Sequence, residues 1–230
     1  MARKKFDVVE RLFMFDGLAT DAATDRVEGF LGVEAGNATV AMGVEGVVLT
    51  CTTEADSLAL LKRSDTGVIP LGDVIGCEFF FEMNAMSGDT ATTTYLGLLY
   101  DGTDPTAATA KCLAKFSNLA GGVDAHDGTT AYTETGIQSV VAGTWYTLNI
   151  DLNYEVLTQS PPSLSKGHVA KFSLTDASGY TRKWDTGTTT IDLSAASATR
   201  VAPFLAITDV TAGSETPNLI CRYIKWKYRI

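Results

Sequence analysis

Carboxylates are the first residues to weigh, because paired acids can cleave glycosidic bonds and grouped ones can hold calcium. Retaining cleavage needs two carboxyl groups about 5 Å apart, one on each side of the scissile bond. Glu78 and Glu82 fall on one face of an extended segment. Four residues along a strand span about 13 Å, too far for such a pair, so they read as solvated face charges. For calcium, Asp101 with Asp104 and Asp124 with Asp127 are the candidate oxygen donors. Both pairs lie in glycine-containing turns, where aspartate also serves to cap the backbone. Calcium is the one cofactor for which donors are present.

Other chemistries find little support. The only histidines are His126 and His168, with no H-x-x-x-H, HExxH or Cys/His spacing beside them, which disfavours zinc. There is no G-x-S-x-G elbow, Walker loop or GxGxxG. The expectation is a protein without catalytic residues. Tyr180, Arg182 and Trp184 alternate so as to share one strand face, which allows an aromatic platform for a sugar. The competing reading is that Arg182 covers packed rings with its stem. Trp145 and Trp226 are expected in the core or at a sheet edge.

Charge is distributed unevenly. Residues 1–5 and 219–230 hold seven of the 18 basic residues, Arg3, Lys4, Lys5, Arg222, Lys225, Lys227 and Arg229, and none of the 27 acidic ones. That leaves residues 6–218 with 11 bases against 27 acids, a net −16. If the two ends lie together, the bases form one patch on an acidic body, able to steer docking onto an acidic partner. The alternative is a charged edge that discourages strand-to-strand aggregation. The overall charge of −9 argues against direct binding to nucleic acid or an anionic membrane.

The elements that must position these residues read as strands. Short apolar-alternating segments are separated by Gly, Asp, Thr and Pro clusters. In Cys77–Met83 the inward set is Cys77, Phe79, Phe81 and Met83, with Glu78 and Glu82 outward. In Trp145–Leu152, Tyr146, Leu148, Ile150 and Leu152 share a face opposite Thr147, Asn149 and Asp151. The last strand sets Ile220, Ile224, Trp226, Tyr228 and Ile230 against Lys225, Lys227 and Arg229. Residues 107–115, after Asp104-Pro105, read as either a capped helix or a strand from Lys111 to Ser117. Residues 54–62 allow another short helix. Roughly a dozen strands with almost no helix imply two stacked antiparallel sheets, an all-β sandwich in a single domain over residues 1–230 with a short basic arm at 1–5. An apolar content of 45% is ample for a core and excludes a disordered chain. The segment Phe6–Leu18 carries Asp7, Glu10, Arg11 and Asp16, so no signal-peptide apolar region is expected, and the scattered Cys51, Cys77, Cys112 and Cys221 are expected as buried free thiols.

Three segments carry a family resemblance. Gly143-Thr-Trp-Tyr-Thr-Leu-Asn-Ile-Asp-Leu152 resembles the G-x-W strand of concanavalin-A-like and laminin-G-like jelly rolls. Val169–Gly179 occupies the place of that family's next strand and Asp-Gly turn, lengthened here to Asp176-Ala-Ser-Gly179, and Arg222–Tyr228 is similar to its closing strand. The resemblance implies a two-sheet antiparallel jelly roll whose terminal strands run side by side. Glycosidases of this shape carry an E-x-D-x-x-E strand motif; here Glu54 and Asp56 match its first half and Ala59 stands where the second glutamate belongs. Domains of this kind occur among tailed-phage structural proteins. The resemblance therefore implies a virion protein decorating the outside of a capsid, with the major capsid protein or another virion protein as partner. It also implies a homo-oligomer, with a trimer at a local three-fold axis as one form. No heptads, collagen-like triplets or β-helix repeats that would build a tail shaft are present. The alternative is a carbohydrate-binding adhesin or a tail-associated receptor-binding module using Tyr180, Arg182 and Trp184.

Overall fold

Alternation of apolar side chains writes one buried and one open face onto most of the strands, and two such sheets close on each other. The computed structural model describes residues 7–15, 30–52, 56–63, 69–84, 92–100, 105, 110–160, 163–183, 191–209 and 216–230. In chain order the strands are β1 (Val8–Met14), β2 (Phe30–Ala35), β3 (Thr39–Gly43), β4 (Gly46–Thr50), β5 (Ser57–Arg63), β6 (Ile69–Pro70), β7 (Val74–Asn84) and β8 (Thr92–Tyr100). They continue as β9 (Ala110–Ser117), β10 (Ala120–Asp127), β11 (Ala131–Ser139), β12 (Trp145–Ser160), β13 (Ser163–Asp176), β14 (Thr181–Lys183), β15 (Arg200–Asp209) and β16 (Asn218–Arg229). Among the described residues, the only helical turns are Leu71–Asp73 and Ser194–Ala196.

The first sheet runs β14-β13-β12-β7-β16-β4-β3, with β1 joining β16, and the second runs β11-β10-β9-β8-β15-β5-β2, with β6 joining β15. Every pairing is antiparallel. This is the all-β, two-sheet sandwich expected from the sequence. Between the sheets, Phe79, Phe81, Leu148, Ile150, Ile224 and Trp226 meet Leu61, Leu96, Phe116, Leu205 and Ile207 in one cluster. Phe81 and Phe116 touch across the interface with ring centroids 5.7 Å apart. The second sheet is apolar on its far side as well. Leu60, Tyr95, Leu99, Leu113, Phe204 and Ala206 form a separate buried cluster there, which is why β5 and β8 read as continuous apolar runs rather than alternating ones.

Four expectations need correction or completion. Residues 57–63 and 110–117 are strands β5 and β9, so the helix at 54–62 is not formed in the described part, and of the two readings at 107–115 the strand is the one found. β9 pairs with β8 on one side and β10 on the other, and that two-sided pairing overrides the helix propensity of its Ala, Lys and Leu residues. Ile220 does not share the inner face with Ile224. The register of β16 against β7 shifts between Cys221 and Tyr223, and such a bulge exchanges the two faces, so Leu219 and Cys221 are buried on one side of it and Ile224, Trp226 and Tyr228 on the other. Ile230 lies beyond the strand and is 69% exposed. The terminal strands do run side by side, Val8 opposite Arg229 through Met14 opposite Tyr223. All four cysteines are free and buried, as expected, and burial raises the thiols of Cys77, Cys112 and Cys221 far above their ordinary range.

Candidate functional site

The outer face of the first sheet gathers the polar and aromatic residues that alternation excludes from the core. Three successive rungs cross β12, β7 and β16. Thr147, Phe80 and Tyr223 form one, Asn149, Glu78 and Lys225 the next, and Asp151, Gly76 and Lys227 the third. β1 extends each rung on the β16 side with Met14, Leu12 and Glu10. Trp145 lies diagonal to Phe80 and stacks on it at 4.7 Å, and Tyr223 stacks on the other side of Phe80 at 5.5 Å. The result is a half-buried aromatic ridge across three strands. Trp226 is in the core as expected, whereas Trp145 is neither core nor sheet edge. Its neighbour Tyr146 takes the inward position, and strict alternation turns Trp145 out.

Beside the ridge lies a groove of about 260 Å³. Gly76 forms its floor, where a Cβ would come within 2.8 Å of the Ile150 carbonyl. Asn149 and Asp151 line it from β12, Lys225 and Lys227 from β16, with Glu78 between and Glu10 beyond. Lys225 pairs with Glu78 at 3.3 Å and Lys227 with Glu10 at 3.8 Å. The Tyr223 hydroxyl donates to Glu78 at 2.8 Å, tying the ridge to the groove. Glu82, the other carboxylate on this face of β7, accepts from the Asn84 side chain at 2.5 Å.

Burial raises the Tyr223 phenol from 10.0 to about 12, and the Glu78 carboxylate that accepts its proton adds to the effect. A folded pKa above the unfolded one means that the stabilisation is complete below pH 10 and is lost as pH climbs through 12. The denaturation midpoint of the wild type is therefore expected to fall between those pH values more steeply than that of Tyr223→Phe. Equal slopes would remove this assignment.

A second groove, of about 390 Å³, opens between the β13–β14 turn and the end of β11. Arg182 lies over the Tyr180 ring at 5.3 Å and donates to Gln138 of the other sheet at 3.1 Å. Asp176 shapes the turn. Its Oδ1 accepts from Ser178 N, Ser178 Oγ and Tyr180 N, and these bonds, led by the Ser178 hydroxyl, hold its carboxyl below the usual range. Tyr180 precedes β14 rather than belonging to it, and Arg182 pairs opposite the inward Leu174, so this pair faces the mouth of the sandwich and not its exterior. Trp184 lies outside the described residues.

The other sequence candidates separate. Asp101 and Asp104 lie outside the described residues, as do Glu54 and the basic arm residues Arg3, Lys4 and Lys5. Asp124 and Asp127 are three apart on β10, an odd spacing that turns them to opposite faces. Asp124 is bound to Lys111 at 2.8 Å, and Asp127 Oδ1 accepts from Thr129 N and Thr130 N in the hairpin turn. Each carboxylate is thus already engaged, and the structure does not bring the pair together around a cation. Among the described residues, no group of three metal-ligating side chains converges. Ala59 sits in the core, so its position offers no carboxylate to an outer face. Of the basic residues on β16, Lys225 and Lys227 face carboxylates, which leaves Arg222, nearer the middle of the strand, and Arg229 at its end.

No family model matches the chain, and no curated protein matches it. Solved structures do. The lectin UEA-II complexed with galactose is similar with TM-score 0.59 and 13% identity, over 96% of this chain and 98% of that one. The potassium-bound carbohydrate recognition domain of Emp46p has TM-score 0.54 and 13% identity, over 91% and 92%. A protein of unknown function from Shewanella oneidensis MR-1 has TM-score 0.59 and 15% identity, over 96% and 87%. At these identities the likeness is one of fold. The chain has a concanavalin-A-like jelly-roll fold, two antiparallel sheets closed into a sandwich.

Proposed function

We propose that this chain is a non-enzymatic virion structural protein that decorates the outside of a tailed-phage capsid. The observation that carries the reading is the β1–β16 pairing. The Asp7 carbonyl accepts a hydrogen bond from Ile230 N at 3.0 Å, so the two described ends of the chain meet beside Arg229. Arg229, with Arg3, Lys4 and Lys5 shortly before Asp7 in the sequence, would serve docking of an acidic surface on the major capsid protein, on a chain of net negative charge. Such a protein acts by cementing, bridging neighbouring capsid subunits so that internal pressure must break more contacts. Many copies on a lattice make modest individual affinities sufficient, and a homo-oligomer multiplies them further. The wild-type chain is expected to co-sediment with phage heads. Replacing Arg3, Lys4 and Lys5 together with alanine should weaken that binding about tenfold at low salt, with a smaller difference at high salt. A chain that stays in the supernatant at low salt would sink the reading.

A second reading, a carbohydrate-binding adhesin or tail-associated module, is favoured by the Arg182–Tyr180 stack in its groove together with the lectin-type fold. A glycan array probed with the wild type and with Tyr180→Ala tests it directly.

A further inference from the structure

We propose that the outer face of the first sheet is itself a binding site for a neutral oligosaccharide of at least two hexose units. One ring sits in the groove beside Gly76, against the Glu78 rung, and the next lies against the Tyr223–Phe80–Trp145 ridge. The inference rests on the carbohydrate-binding reading and gives it a site distinct from the Tyr180–Arg182 groove.

Three observations select this ligand. First, the groove offers both kinds of hydrogen-bonding group at close quarters. Glu78 and Asp151 only accept, Lys225 and Lys227 only donate, and Asn149 does both. A sugar hydroxyl donates and accepts at once, so a polyol satisfies all of them. Second, both cations of the groove are already compensated, Lys225 by Glu78 and Lys227 by Glu10, and Asp151 adds one further carboxylate. That disfavours phosphate or nucleic acid, whereas a neutral polyol can donate hydroxyl hydrogen bonds to Asp151. Third, the rung holding Glu78 and the rung holding Phe80 are two residues apart along β7, about 7 Å. A single pyranose in the groove does not cover the ridge, whereas a second linked ring reaches it. There, its apolar C–H face can pack on rings fixed by mutual stacking. The site is also built rather than incidental: the Tyr223–Glu78 hydrogen bond couples ridge and groove, and the close approach of Ile150 to Gly76 keeps the floor free of a side chain.

The test is a glycan array of neutral hexose and N-acetylhexosamine oligomers, probed with the wild type, Asn149→Ala/Asp151→Ala, Lys225→Met and Arg182→Ala. Melting temperature checks that each variant folds, and the two altered rungs provide independent probes. The expected result is signal for oligomers of two or more units, at least tenfold weaker for the double variant and for Lys225→Met, and unchanged for Arg182→Ala. Signal lost in Arg182→Ala but kept in the other two overturns this site and assigns binding to the second groove. No signal for any neutral oligomer overturns both carbohydrate sites and leaves capsid docking, which sedimentation tests separately, unaffected.

Discussion

Asp124→Ala is expected to destabilise the fold by about 3–5 kcal/mol, lowering the melting temperature by on the order of 10 °C. The reason is Lys111. Its side chain is 6% exposed, and its ammonium donates to Asp124 at 2.8 Å and to the Pro105 carbonyl at 2.7 Å. The pair borders the outer apolar cluster of the second sheet, since Asp124 stands directly opposite Leu113. Removing the carboxylate takes a close counter-charge from a buried cation, which is more unfavourable than never having buried one. Replacing both partners with apolar side chains, Lys111→Met with Asp124→Leu, should recover most of the loss. The same measurement separates ion pair from calcium site. A structural ion pair gives the same deficit with calcium or with a chelator, whereas a calcium ligand gives a deficit that the chelator erases.

Asp124 also illustrates what a sequence carries and what it conceals. The spacing of Asp124 and Asp127 is visible in the chain, but the strand that turns them to opposite faces and the lysine that captures one of them are not. Local alternation is legible away from the bulges: Cys77, Phe79, Phe81 and Met83 are buried, as are Tyr146, Leu148, Ile150 and Leu152, whereas the bulge in β16 turns Ile220 away from the face of Ile224. The same alternation places Phe80 and Trp145 outward. The pattern for the aromatic ridge is therefore present in the sequence, against the general preference of large aromatics for the interior. Its completion was out of reach. Tyr223 and Glu78 are 145 residues apart in the chain and meet only because β16 pairs with β7, at a register set by a bulge between Cys221 and Tyr223. Non-local pairing of this kind is set by matching the apolar faces of two strands far apart in the chain, so neither segment's pattern reveals it alone. The segments resembling a concanavalin-A-like fold succeeded because a strand motif and a turn are local. The two grooves are assembled from strands distant in sequence, so no single segment carries either of them whole.

Gly97→Ala should be among the most damaging small substitutions, lowering stability by roughly 2–6 kcal/mol as overpacking and backbone strain combine. Gly97 lies inside β8, opposite Leu113 on one side and Phe204 on the other, at the middle of the second sheet. Its φ is +157°, and a Cβ there would stand 2.2 Å from the Cys112 carbonyl oxygen and 2.9 Å from the Leu113 Cα. No rotamer relieves a contact with backbone, so β8 and β9 must move apart and strain the ladder between them. Gly179→Ala is the control. Its φ of +81° is equally foreign to alanine, but nothing lies within 4 Å of the added carbon, so only strain of about 1 kcal/mol is expected. Denaturant unfolding of both variants, with unchanged slopes, measures the difference directly. Equal losses in the two would mean that β8 and β9 do not approach as closely as described. The sheet built on that approach, and with it the placement of the Lys111–Asp124 pair, would then need a different register.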